Sequence, residues 1–167
     1  MEYSPFTREI EDESGTNLLQ TCRELGVTVV CYSPLGRGLF TGTIASRDDI
    51  SGKDDHRPGF FPWFSEENFD ANVKVVGQLK TMAEKKGCTA TQLVLAWIMK
   101  QGDDFIPIPG TKRVKYLEEN WRSLDVDLSE EEVAEVRKFV ESAELAGKRG
   151  PNMGKKMTFM DTPEETS

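Results

Sequence analysis

Residues 103–120, DDFIPIPGTKRVKYLEEN, limit the fold more than any other stretch. Phe105, Ile106, Pro107 and Ile108 form a short apolar run of strand character, and Pro109-Gly110 breaks it. From Lys112 to Trp121, apolar Val114, Leu117 and Trp121 recur at three- to four-residue spacing, which predicts a helix. Strand, glycine turn and helix make one βα unit, and a chain that alternates such units builds a parallel sheet. The same arrangement makes an anion cradle, because a helix start offers N–H groups and the positive end of its dipole. Lys112 and Arg113 add fixed positive charge there. An ordinary βα turn with solvated lysines is the alternative.

Residues 27–32, VTVVCY, are the strongest strand in the chain, β-branched and apolar on both faces. That pattern suits a parallel strand covered on both sides. SPLGRGLFTG follows, with three glycines in seven residues directly after a buried strand. Glycine there permits close approach of the backbone to a ligand, although such a run also suits a plain turn. Residues 17–25 are predicted as a helix, with Leu18, Cys22 and Leu25 on one face and Gly26 as the stop. Ser65 reads as the N-cap of a helix to Lys86, buried along Phe69, Val73, Val76, Leu79 and Ala83. Thr89 with Gln92, and Ser129 with Glu132, read as capping boxes. The first opens a helix with core face Leu93, Val94, Trp97 and Ile98, ended by Gly102. The second opens one striped by Val133, Val136, Phe139 and Val140. Residues 43–64 read as a long irregular loop whose aromatic half holds Phe60, Phe61, Trp63 and Phe64, either lining a pocket or packing the loop down. His56 lies among charges and reads as a surface residue.

At 167 residues the chain is long enough for one domain with a sizeable core, here 1–147, followed by a polar tail, 148–167. A net charge of -8 argues against a nucleic-acid or anionic-membrane partner. No apolar run reaches the length of a membrane span, and the acidic opening MEYSPFTREIEDE is unlike a signal peptide. Cys22, Cys31 and Cys88 lack metal-ligand or CxxC spacing and read as free thiols in a reducing, cytoplasmic setting. A single histidine argues against a multi-histidine metal site.

Two motifs then carry a resemblance. PIPGTKRVKYLEEN resembles the cofactor segment after the last barrel strand of aldo-keto reductases, and YSPLGRGLFTG resembles their loop after the seventh strand. MEYSPF is similar to the end of the sixth strand. The resemblance covers most of the chain and implies an α/β fold: a partial (β/α)8 TIM barrel made of the last three βα units plus an extra C-terminal helix. It implies strands at residues 2–4, 28–32 and 105–108, too few to close a barrel. It implies NADP as cofactor. Tyr32 would stack on the nicotinamide, unless it simply packs at the strand end, and Ser33, Leu35, Gly36 and Arg37 would line the diphosphate. Gly110, Thr111, Lys112 and Arg113 would hold the 2′-phosphate, with Tyr116, Glu119 and Asn120 further along the segment. Some members carry arginine at the position of Tyr116, which leaves the 2′-phosphate to Lys112 and Arg113.

The implied activity is reduction of a small-molecule aldehyde or ketone to an alcohol. The family's Asp-Tyr-Lys-His tetrad lies on earlier strands, so no catalytic residue is assigned within this chain. Three readings remain open: an aldo-keto reductase represented by a shortened chain, a non-catalytic nucleotide-binding or regulatory module, and an inactive truncation product. Open sheet edges imply self-association, and the chain alone is expected not to reduce carbonyls.

Overall fold

The computed structural model describes residues 1–11 and 16–148. Among the described residues, six α-helices and two strands follow in the order α1 (Leu18–Glu24), β1 (Val29–Cys31), α2 (Arg57–Phe60), α3 (Phe69–Lys86), α4 (Ala90–Met99), β2 (Phe105–Pro107), α5 (Val114–Trp121) and α6 (Glu130–Ser142). Short 3-10 turns lie at Gly36–Thr41, Arg47–Ile50, Pro62–Phe64 and Arg122–Asp125. The expected tail beyond Lys148 lies outside the described residues, as does part of the polar loop after Thr7.

β1 and β2 pair in parallel, with Val29 opposite Phe105 and Cys31 opposite Pro107. Parallel pairing was expected, but three full strands were not found. The stretch at residues 2–4 is reduced to one parallel bridge, Glu2 with Tyr32, because Ser4 turns back at once to pair with Thr7. Both strands are shorter than expected by a residue or two.

The sheet is covered on one side. Val29, Cys31 and Phe105 are buried together with Tyr3 and the α4 residues Leu93, Val94, Trp97 and Ile98. The alternate residues Val30, Tyr32, Ile106 and Ile108 are exposed, so the expectation of cover on both faces is corrected. Side chains on successive strand positions point to opposite faces, and no described element lies over the second face.

α4 forms the middle of the core. Its capping box is present: Gln92 N donates to Thr89 Oγ1 (3.2 Å) and Thr89 N to Gln92 Oε1 (3.0 Å). It ends at Met99, ahead of Gly102. α6 has the same box at Ser129 and Glu132, and buries Val136 and Val140. α3 buries Phe69, Val76, Leu79 and Ala83 as its spacing predicts, and Gly87, at φ +78°, closes it.

Three boundaries differ. α3 starts at Phe69, because residues 65–68 close a turn on the Ser65 carbonyl, which accepts from Asn68 N and Phe69 N. Ser65 Oγ is buried without a hydrogen-bond partner, so it is no cap. α1 buries Leu19 and leaves Leu25 exposed, off the expected face. α5 starts at Val114, and its stripe of Val114, Leu117 and Trp121 faces solvent.

The segment expected to be irregular is anchored by its aromatics. Trp63 and Phe64 are buried, and Trp63 lies 5.7 Å from Phe40 between ring centroids. Fully buried Asn72 fastens it further, donating to Trp63 O (3.0 Å) and Ala146 O (2.9 Å) and accepting from Ala146 N (2.7 Å).

Candidate functional site at the strand ends

Because β1 and β2 are adjacent and parallel, the loops leaving their C-terminal ends open at the same edge of the sheet. That edge is where open α/β sheets and barrels place ligands. All twelve residues expected to bind cofactor lie on these two loops and on α5. A hydrogen bond from Ile108 N to Cys31 O (3.0 Å) ties the second loop back to the first strand.

The first loop turns sharply. Ser33, Gly36, Arg37 and Gly38 all have left-handed backbones, at φ +51°, +54°, +56° and +94°. Gly36 has a second constraint: a Cβ there would stand 2.5 Å from the Phe40 ring. The unusual backbone at Arg37 is held from outside, because Arg57 donates through Nη1 to Arg37 O (2.9 Å). Arg57 is itself paired with Asp55 at 2.5 Å, and that hydrogen bond holds the Asp55 carboxyl below the usual carboxylate range. Arg37 lies over the Phe61 ring at 4.1 Å, a cation–π distance, so Phe61 packs the long segment onto the loop.

Glu2 joins the pieces. Its carboxylate is 6% exposed, accepts from Arg37 Nη1 at 2.9 Å and lies 3.3 Å from the Tyr32 hydroxyl. The aromatic and the cation expected at the cofactor are thereby set by one buried acid. Glu2, Asp55 and Arg57 were not picked out from the sequence, whereas Phe61 takes the packing role expected as one alternative. The signal for Glu2 was available: a carboxylate inside an extended apolar opening must find a partner.

Tyr32 directly follows β1 and is half-exposed, on the bare side of the sheet. Its ring is not enclosed by the core. Its bridge to Glu2 fixes the backbone beneath it, with Tyr32 N donating to Met1 O (2.9 Å).

The second loop is open. Gly110, Thr111, Lys112 and Arg113 are exposed. Thr111 Oγ1 accepts from Arg113 N (3.2 Å), which orders the approach to α5. Lys112 and Arg113 precede the helix instead of forming its first turn, and Arg113, extended at φ -128°, is the N-cap. The Tyr116 ring has two cations near it, Lys115 Nζ at 4.6 Å and the Arg113 guanidinium at 5.9 Å. Lys115 thus joins the basic cluster that the sequence reading confined to Lys112 and Arg113. Glu119 and Asn120 are half-buried on α5, where the Glu119 carbonyl accepts from Gln92 Nε2 (3.4 Å) and docks the helix on α4.

The arrangement can hold an elongated anion: an aromatic face and an arginine at one end, and a glycine turn with three basic residues at the other. It offers no evident proton donor in Tyr3. That phenol is fully buried and donates to Glu11 Oε1 (2.5 Å), and burial, then the Glu11 charge, raise its pKa far above the ordinary value.

Comparison with known proteins identifies the family. The chain is 51% identical over 164 residues to aldo-keto reductase str7 of Strobilurus tenacellus. It is 46% identical over 163 residues to aldo-keto reductase yakc [NADP(+)] of Schizosaccharomyces pombe. In both cases 98% of this chain is covered but only 47% of the relative, so the chain spans about half their length. Among solved structures, the glycerol dehydrogenase AKR11B4 of Gluconobacter oxydans superposes with a TM-score of 0.69 at 26% identity, over 83% of this chain and 40% of that one. The thermostable aldo-keto reductase Tm1743 gives 0.54 at 26% identity, over 83% and 38%. The profile of the Aldo/keto reductase family matches residues 1–141, and the chain belongs to that family.

Proposed function

We propose that this chain carries the NADP(H)-binding portion of an aldo-keto reductase that reduces an aldehyde or ketone to an alcohol, and that it comprises the last three βα units of the barrel. The observation that carries the reading is the meeting of the two loops at one edge of a parallel sheet, each bearing cations suited to phosphate. The name of the yeast relative, which specifies NADP(+), supports the choice of cofactor.

The residues fit the group. Gly36 lies in a turn where a Cβ would strike Phe40, and the exposed Tyr32 ring stands at the sheet edge with its hydroxyl oriented by Glu2. In this reading Tyr32 stacks on the nicotinamide, and Ser33, Leu35, Gly36 and Arg37 line the diphosphate. Gly110, Thr111, Lys112 and Arg113 hold the 2′-phosphate, with Tyr116, Glu119 and Asn120 beyond them. The bound cofactor supplies a hydride to the carbonyl carbon. The chain's own part is binding and orientation, and the expected place of work is the cytoplasm, where the free thiols Cys22, Cys31 and Cys88 would stay reduced.

A second reading, a nucleotide-binding module without turnover, would use the same two loops. Both readings share a test. Calorimetric titration of residues 1–167 with NADPH and with NADH should show tighter NADPH binding. Lys112→Ala with Arg113→Ala should weaken NADPH by about tenfold or more, since two charge-assisted contacts are lost, and should leave NADH nearly unchanged. Equal losses for both cofactors sink the 2′-phosphate assignment. Oxidation of NADPH with a panel of aldehydes and ketones, measured on an intact barrel carrying this half, separates the two readings.

A further inference from the structure

The carbonyl of Arg37 is a point at which the long aromatic segment meets the first loop. Arg37 holds a left-handed backbone (φ +56°, ψ +31°), which a residue with a side chain adopts only at a cost. Both sides of the peptide between Arg37 and Gly38 are fixed. Gly38 N donates to Leu35 O (3.0 Å), and Arg37 O accepts from Arg57 Nη1 (2.9 Å). Gly38 is left-handed too, and a Cβ there would stand 3.2 Å from the same Nη1, so the guanidinium lies close against the turn. Glu2 and Phe61 hold the side chain of Arg37, and Arg57 holds its backbone.

Arg57 is itself set in place. Its Nε and Nη2 donate to the Asp55 carboxylate (2.9 and 2.5 Å), and its backbone N donates to Asp55 Oδ1 (3.1 Å). Its guanidinium lies 5.4 Å from the centre of the Phe64 ring. These contacts leave Nη1 for the turn. The grip on Arg37 is not what anchors the aromatic segment, because Trp63 and Phe64 are buried and Asn72 holds the Trp63 carbonyl. What Arg57 adds is order in a turn 20 positions earlier. A turn that is competent only part of the time weakens binding by that fraction, and ordering it in advance removes the cost.

We propose that, within the cofactor reading on which this rests, Arg57 is a positioning residue. Acting through the backbone of Arg37, it keeps the Ser33–Gly38 turn in its binding form before the nucleotide arrives, and so sets the affinity for the diphosphate.

Arg57→Met keeps the aliphatic stem and removes the guanidinium donors. In residues 1–167 without nucleotide, amide hydrogen exchange followed by NMR should quicken about tenfold at Gly36, Gly38 and Phe40, whose N–H groups bond to the Ser33 and Leu35 carbonyls. Exchange at residues 93–98 in α4 should not change. Calorimetry should show NADPH and NADH weakened alike by about tenfold, because both contain the diphosphate. Adenosine 2′-phosphate, which lacks it, should bind as before. A merely structural role would instead quicken exchange throughout the chain or weaken all three ligands. Lys112→Ala with Arg113→Ala should do the converse, losing adenosine 2′-phosphate while the turn exchanges slowly. Arg57→Lys keeps one donor for the Arg37 carbonyl and should fall between the unaltered chain and Arg57→Met; it carries the same test if Arg57→Met does not fold. Unchanged exchange at the turn overturns the proposal, as does unchanged NADPH affinity in a loosened turn or an equal loss of adenosine 2′-phosphate. If the unaltered chain binds none of the three ligands, the cofactor reading fails and takes the affinity claim with it, while the exchange rates still decide whether Arg57 holds the turn.

Discussion

The Glu2 carboxylate occupies a position where an apolar side chain would be cheaper to bury, so its retention reflects its partners. Replacing it by glutamine keeps an oxygen for the Tyr32 hydroxyl and cancels the charge opposite Arg37. Glu2→Gln should cost about 1–3 kcal/mol, the range for a charged hydrogen bond broken in a buried place, read as a lower urea midpoint at unchanged slope. An unchanged midpoint would show that Arg37 finds another acceptor. Single residues of this kind are the hardest to read from sequence. Lys112 and Arg113 stand out as neighbouring charges after a glycine turn. Glu2 has no period and no motif of its own, and Arg57 reaches Arg37 from 20 positions away.

Between elements, the folded contacts set how stability depends on pH. Arg23 on α1 clasps Asp104 just before β2 at 2.8 Å. That hydrogen bond lowers the Asp104 pKa below its ordinary value, so the unfolded chain takes up the proton first as pH falls. The clasp is therefore at full strength at neutral pH, and its contribution is lost as pH falls from the ordinary carboxylate value, about 3.9, through the lowered one. The buried groups work in the opposite direction. Burial pushes the Cys31 thiol up to about 11 and the Tyr3 phenol higher still. Both stay protonated in the fold after the unfolded chain has begun to ionise, so stability declines as pH rises above the ordinary thiol and phenol values. Denaturation midpoints between pH 2 and 11 should trace both limbs, with Asp104→Asn flattening the acid limb and Tyr3→Phe the alkaline one. An unaltered profile in either variant removes that group from the account. The caps at Thr89 and Ser129 were legible in the sequence because capping is settled within four residues. The start of α3 was not, because Ser65 is drawn into a turn under Pro62, where Asn68 Nδ2 donates to Pro62 O (3.0 Å). Nor was the exposure of the α5 stripe: periodicity records that a helix has an apolar side but does not show what covers it.

In the molecule as a whole, the contacts that bring the two strands together are distant in sequence. Arg23 and Asp104 are 81 positions apart, and the sheet pairs strands with α2, α3 and α4 between them. α3 and α4, by contrast, follow one another through a three-residue connection and share the core through Leu79, Ala83, Leu93 and Trp97. Closing a long loop costs entropy before any distant contact repays it, whereas a local helix pair meets that cost early. The helix pair should therefore form in the folding transition state, and the sheet after it. Stopped-flow chevrons check this order: Leu93→Ala should slow refolding, and Cys31→Ala should mainly hasten unfolding. The reverse assignment would place the sheet first. If the order holds, the left-handed turn at Ser33–Gly38 takes shape only in the last step. Under the proposed cofactor reading, a chain caught just before that step would show a nearly native helical spectrum yet bind no nucleotide, so helical content and binding competence would recover on different timescales.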